Sequence, residues 1–225
     1  MSAENGEKFD ENLTIFRATD KDFDDIYDFL NEDFLYTESL NNSVSGTKEE
    51  FEPLFKSLVK GVEVGYSYII RDDETKKVIA VRLTTFLERD SSHSAESSSE
   101  DPHFSSWKPA AIVKLLEALE LKLWDQISSN INKLASWTVI SVSSKYSRRG
   151  IALRLINHNL NELKEAGCQG IATEATAFKS QQLFVKHGYQ NIYEIKHSDW
   201  KNENGQQIFK CNDSTDKAIL IYKEL

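Results

Sequence analysis

The sequence predicts an α/β fold built on a mixed, mostly antiparallel sheet with helices on both faces. Three observations carry that expectation. Residues 139–167 run from a β-branched strand through a basic, glycine-bearing turn into an amphipathic helix. Two strand-like runs, 64–71 and 78–88, face each other across the turn Asp72-Asp73-Glu74. Strand and helix patterns alternate through the second half, with no internal repeat. A chain of 225 residues can build one domain with a substantial core. Hydrophobic residues at 40% and aromatics at 11% supply enough apolar surface to exclude global disorder.

Taken in order, residues 1–12 read as a charged, frayed tail ahead of a single domain over 13–225. Leu13–Arg17 reads as the first strand. Thr19 and Asp20 supply N-caps for a helix that places Phe23, Ile26, Tyr27, Leu30 and Phe34 on one face. Lys48 to Lys60 predicts a second helix, with Pro53 placed in an early turn that tolerates it. Asp90 to Ser106 is rich in serine and acidic residues and predicts a mobile loop. Ala110 to Ile131 predicts a long helix burying Ile112, Leu115, Leu116, Leu119, Leu123 and Ile127. The second half predicts strand 137–143, helix 149–166 closed by Gly167, strand 169–174 and helix 178–187. A strand pair, 189–197 with 206–212, and a last strand, 217–223, complete the order.

Composition also excludes several functions. A net charge of −9 argues against general binding to nucleic acid or anionic membrane, which requires basic faces. The stretch Met1–Lys8 has no apolar segment of the secretory kind, and no run is long enough to cross a bilayer. Cys168 and Cys211 show neither metal nor disulfide spacing, which predicts reduced thiols in a cytoplasmic protein. His93, His103, His158, His187 and His197 do not group with acidic ligands, so no metal is expected.

The turn inside 139–167 carries the chemistry. Its helix start leaves backbone N–H groups unpaired where the peptide dipoles sum to a partial positive charge. Gly150 and Ala152 are small enough for a ligand to approach, and Arg148 and Arg149 add full charges. Such a construction suits a pyrophosphate, although a purely structural strand-turn-helix fits these residues equally. The spacing matches neither the G-x-x-x-x-G-K-[ST] loop nor the three-glycine dinucleotide fingerprint. Ser147-Arg148-Arg149-Gly150-Ile151-Ala152 resembles motif A of the GNAT acetyltransferases, [QR]-x-x-G-x-[GA]. Ser147 stands where Arg or Gln is usual, and Arg148 or Arg149 is available to substitute.

Two further segments narrow the resemblance. Phe29 to Asn41 is similar to the F-x-x-x-E-P-L-N segment of the invertebrate arylalkylamine (dopamine-type) N-acetyltransferases, with Ser39 in place of proline. Thr173 to Tyr189 is similar to that family's strand and motif B helix. Asp199-Trp200-Lys201 and Ile208-Phe209-Lys210 resemble its C-terminal strand pair. This resemblance implies the GNAT fold, acetyl-CoA as co-substrate and a small-molecule amine as acceptor. It implies that Ile140, Ser141 and Val142 face the cofactor through free backbone groups. Ser147, Arg148, Arg149, Gly150, Ile151 and Ala152 would then hold the pyrophosphate.

The same resemblance makes Glu38 the general base, acting through ordered water. It carries the family's two helix hydroxyls over to Thr176 and Ser180. Ser180 becomes the donor to the departing thiolate, because Phe184 occupies the usual tyrosine position and cannot donate. Thr176 orients substrate or water. Read from the residues alone, Glu38 is a solvated glutamate, and only the family segment reverses that reading; Thr176 and Ser180 also fit as N-caps of the 178–187 helix. The expected acceptors are dopamine, serotonin, tyramine or octopamine. Polyamines or aliphatic amines form a second reading, and a non-catalytic acyl-CoA-binding module a third. The protein is expected to be a monomer, without nucleic-acid or membrane partners.

Overall fold

The computed structural model describes residues 6–89 and 104–225. Its strands are β1 (Glu7–Asp10), β2 (Leu13–Arg17), β3 (Tyr68–Asp72), β4 (Val78–Glu88), β5 (Lys133–Val142), β6 (Gly170–Ala175), β7 (Gln190–Lys196) and β8 (Lys217–Glu224). They form one sheet in the order β1-β2-β3-β4-β5-β6-β8-β7. Only β5 and β6 run parallel; the other neighbours are antiparallel. Alternate residues of β6 feed two cores, with Ala172 on one face and Ile171 and Ala175 on the other. Helices α1 (Phe23–Phe29), α2 (Leu35–Thr37), α3 (Ser39–Ser43), α4 (Lys48–Lys60), α5 (Trp107–Glu120) and α6 (Leu123–Gln126) pack on the first face. Helices α7 (Ile151–Asn157), α8 (Leu160–Glu165) and α9 (Phe178–Lys186) pack on the second. The expected α/β class and mixed sheet are both present.

Some elements form as their residues dictate. Thr47 and Glu50 make a reciprocal capping box at the start of α4, and Phe51, Phe55 and Val59 bury its inner stripe. Pro53 sits in the second turn rather than the first, so α4 lacks one backbone bond there and still continues. Gly167 closes α8 with φ +85°, and the Cys168 N–H returns to the Leu163 carbonyl at 2.9 Å.

Other expectations need correction. Residues 7–10 were expected in the tail, but they pair with β2 as β1. Phe9 explains this, since its buried ring lies 3.8 Å beneath the Arg154 guanidinium and anchors an otherwise charged segment. The strand expected from 64 begins at Tyr68, after a 3₁₀ turn at 61–64 and Gly65 at φ +82°. The helix expected over 110–131 starts at Trp107 under a Ser106 cap and stops at Glu120. The short α6 follows, and Arg89 donates to the carbonyls of Trp124 (3.0 Å), Ser128 (2.8 Å) and Ile131 (2.8 Å) in and beyond it. The expected strand 206–212 is absent: β7 takes β8 as its partner, and only Lys201 and Gln207 bridge. The expected serine-acidic loop lies, over 90–103, outside the described residues.

The helix expected at 149–166 is broken in two by a buried cation. Arg82 is fully buried and donates to the carbonyls of Leu155 (2.9 Å) and His158 (2.7 Å). Its guanidinium lies 4.8 Å from the Tyr68 ring centre and 4.4 Å from that of Trp137. Asn159 then takes a left-handed backbone, φ 50°, and restarts the chain as α8. Arg82→Met is expected to leave these carbonyls unpaired and to cost about 3 kcal/mol, or roughly 6–12 °C in melting temperature. Thermal denaturation followed by circular dichroism checks it; an unchanged melting point would make the clamp incidental.

Candidate active site

A cleft opens where β5 and β6 separate. Their parallel pairing is limited to Leu134↔Gly170, Ala135↔Ile171 and Ser136↔Ala172. Immediately beyond, the register between β4 and β5 jumps from Thr84↔Trp137 to Leu83↔Val139, leaving Thr138 as a bulge. A bulge bends its strand and raises the local twist, which turns β5 away from β6. The Thr173 hydroxyl donates to the Trp137 carbonyl at 2.8 Å and closes the fork. The resulting cleft is about 350 Å³, walled by 137–142 on one side and 173–177 on the other. Ile140, Ser141 and Val142 lie on this wall, without a β6 partner.

Glu38 reaches the same cleft from the first face of the sheet. A wide π turn at Leu30–Phe34 precedes it, a feature that often accompanies functional sites. Glu38 itself is extended (φ −73°, ψ 137°) and separates α2 from α3. Its Oε1 accepts from the Thr176 hydroxyl at 2.8 Å, and its Oε2 accepts from the Asn41 N–H at 2.7 Å. Burial of the carboxylate raises its pKa above the ordinary glutamate value. The hydrogen bonds from Asn41 and Thr176 oppose that rise, and the nearby charge of Asp213 adds to it. A half-buried carboxylate with a raised pKa suits proton removal near neutral pH.

Thr176 is therefore bonded to Glu38, not to a helix terminus. Ser180 lines the cleft and donates to the Ala177 carbonyl at 2.7 Å. It does not cap α9: the first helical N–H, that of Phe178, goes to the Thr215 hydroxyl at 2.9 Å. Phe184 lies at the cleft base, buried edge-to-face against Tyr189 with ring centres 4.9 Å apart.

The 147–152 turn is spread out along the surface. Ser147 borders the cleft, whereas Arg149 is drawn aside into an ion pair with Asp10 at 3.0 Å. Arg148, with a left-handed φ of 64°, has no ion pair among the described residues. Gly150 adopts φ +73° at the start of α7, and no side chain caps that end. Ala152 is partly buried, and the Ile151 side chain is buried in the core, so only backbone there can face a ligand.

Several cleft residues escaped the sequence reading. Thr138 and Thr173 gave no local signal. Glu174 did give one, being a single acid in an otherwise apolar strand. It lines the cleft two residues before Thr176, and its carboxyl is met by a hydrogen bond from its own backbone, with no ion pair among the described residues. Burial, reinforced by Glu120, pushes it up to about 8. The Cys211 Sγ lies 3.8 Å from His197 Nδ1, but burial pushes that thiol up to about 11, the wrong direction for a nucleophile. No group of three His, Cys, Asp or Glu among the described residues is placed to hold a metal. No described helix is long and apolar enough to cross a membrane.

The arrangement of this sheet and its helices recurs in solved structures. Arylalkylamine N-acetyltransferase 2 from Aedes aegypti superposes with a TM-score of 0.81 at 25% identity, covering 95% of this chain and 99% of that one. The chain has the GNAT fold. A mosquito arylalkylamine N-acetyltransferase-like protein, 5b, matches the GNAT-fold chain with a TM-score of 0.79 at 20% identity, covering 95% and 100%. The Drosophila melanogaster polyamine N-acetyltransferase, described as forming N-acetylagmatine, matches at 0.77 and 17%, covering 95% and 100%. No protein-family profile and no curated protein sequence matches the chain.

Proposed function

We propose that the protein is an acetyl-CoA-dependent N-acetyltransferase acting on the primary amine of an arylalkylamine. The observation that carries this reading is the Glu38 carboxylate, held by Thr176 across the opening between β5 and β6. Acetyl-CoA fits that opening because the β5 edge beyond Ser136 offers backbone groups that no strand satisfies. It supplies the acetyl thioester. Glu38 receives the proton that an ammonium must lose before its nitrogen can attack. Backbone N–H groups of 140–142 face the developing oxyanion. The start of α7, uncapped by any side chain, and the Arg148 charge serve the pyrophosphate. Phe34, beside Glu38 in the cleft wall, provides the aromatic contact for the acceptor ring.

Ser180 is the donor to the leaving thiolate, since its hydroxyl lines the cleft and Phe184 has none to give. Ser180→Ala is therefore expected to lower kcat about tenfold or more with an unchanged melting point. Phe184→Tyr in that background is expected to restore part of the rate. A Ser180→Ala enzyme with full turnover would remove the serine from the mechanism.

Glu174 favours a second reading, in which the acceptor carries a second positive charge. A half-buried carboxylate with no opposite charge beside it is costly, and an ammonium or guanidinium group from the acceptor would satisfy it. Release of free CoA thiol across a panel of tyramine, dopamine, serotonin, short diamines and agmatine decides between the two. The first reading expects arylalkylamines to lead and to keep their kcat/KM in Glu174→Gln. The second expects dications to lead and to lose roughly tenfold or more in that variant. Absence of thiol release with every amine would overturn both.

A further inference from the structure

Glu38 occupies a corner of the backbone, and no covalent restraint holds that corner. Residue 39, the first of α3, is a serine. Proline suits such a place, because its φ matches a first helical residue and its missing N–H is not required there. It also keeps the preceding residue extended, the conformation Glu38 adopts. In this chain side chains hold the corner instead. Ser39 is buried and donates to Asp213 Oδ2 at 2.6 Å, while Asp213 Oδ1 accepts from the Thr215 N–H at 3.3 Å. The Thr215 hydroxyl donates to Ser39 Oγ at 3.4 Å and accepts the first N–H of α9 at 2.9 Å. The Cys211 thiol donates to the Ser39 carbonyl at 3.5 Å.

We propose that Asp213 is a positioning residue, which through Ser39 and Thr215 sets the Glu38 carboxylate against the helix that bears Ser180. The proposal rests on the reading of Glu38 as general base. The clamp joins three segments far apart in the chain: the Glu38 corner, the start of α9 and the loop before β8. Burial opposes ionisation of Asp213, but hydrogen bonds from Ser39 and Thr215 outweigh it and hold its carboxyl below the usual range. Asp213 remains charged near neutral pH, and that charge adds to the raised pKa of Glu38. The other titratable groups around the corner are His197, whose pKa burial lowers, Asp216 beside it, and the Cys211 thiol, whose pKa burial raises.

The test compares kcat, KM and pH–rate profiles for acetyl transfer to tyramine in Asp213→Ala, Asp213→Asn and Asp213→Ala/Ser39→Pro. Displacing a catalytic group by about an ångström costs roughly 10²-fold in rate. Asp213→Ala is therefore expected to lose ten- to a hundredfold in kcat, with the KM for acetyl-CoA nearly unchanged. Its acid limb should move to lower pH, because Glu38 ionises more easily without the neighbouring negative charge. Asp213→Asn can still accept from Ser39, so it should keep most of kcat and show the same displaced limb. Adding Ser39→Pro to Asp213→Ala should recover most of the lost kcat while leaving the limb displaced. Wild-type kcat and pH profile in Asp213→Ala would overturn the proposal. A loss that proline does not repair, with a raised KM for acetyl-CoA, would also overturn it in favour of general destabilisation. Should Asp213→Ala fail to fold, Ser39→Ala, which removes the hydroxyl that reaches Asp213, decides in its place: a tenfold or greater loss of kcat supports the clamp, and a wild-type kcat overturns it. Glu38→Gln, measured alongside, separates the two levels: full activity there removes the base, whereas an inactive Glu38→Gln beside an indifferent Asp213→Ala removes only the clamp.

Discussion

Glu38→Gln is expected to lower kcat by about 10²–10⁴, the usual contribution of a positioned general base. Glutamine preserves the shape of the side chain: its one carbonyl oxygen can accept the Asn41 N–H and its NH2 can donate to the Thr176 hydroxyl, the groups that contact the carboxylate at 2.7 and 2.8 Å. Packing and cofactor binding should therefore survive, and the melting shift with acetyl-CoA should match wild type. The pH dependence sharpens the expectation. Glu38 works as a base only when ionised, and burial raises its pKa above the free value. The wild-type rate should accordingly rise with pH through that elevated pKa, with an acid limb above that of an exposed glutamate. Glutamine does not titrate, so the limb should flatten in the variant. Steady-state kinetics across the acid range measures both effects. Wild-type turnover in Glu38→Gln would move the proton to another acceptor, and Glu174 is the carboxylate in the same cleft.

Acetyl-CoA at about 100 times its Kd is expected to stabilise the fold by roughly 2.7 kcal/mol. For a domain of this size, that is a melting shift on the order of 5–10 °C. Gly150→Val is expected to abolish the shift. A Cβ at Gly150 meets nothing within 4 Å, so the substitution causes no clash with the protein itself. Its φ of +73° is nonetheless a conformation that a β-branched residue adopts only at a cost of about 1–2 kcal/mol. The unliganded variant should thus melt a few degrees lower and remain folded. Differential scanning calorimetry with and without millimolar acetyl-CoA reads both changes. No shift in the wild-type protein would count against acetyl transfer as a whole.

Local patterning already contained a large part of this molecule. The bounds of α4 follow from one capping box and three inward aromatic and β-branched residues. The end of α8 follows from a single glycine with left-handed backbone. Strand β6 lies within one residue of its expected span. These features depend on residues within a turn or two of one another, so the linear order displays them directly.

What the chain order conceals is every decision taken by a partner distant in sequence. Arg82 on β4 breaks the 151–165 helix by drawing off two of its carbonyls, and nothing near residue 158 announces it. Arg89 likewise takes up carbonyls of Trp124, Ser128 and Ile131, in the segment beyond the end of α5. Arg149 was expected to face a phosphate, and Asp10, 139 residues away, diverts it. Glu38 was legible only through a resemblance. Its raised pKa comes from burial and from Asp213, and its orientation from Thr176, 138 residues further along. Sequence alone determined the layered α/β class, the order of most elements and the residue types capable of acetyl-transfer chemistry. Tertiary structure decided which of those residues meet in the cleft, because burial, hydrogen-bond saturation and charge proximity arise only when distant segments pack.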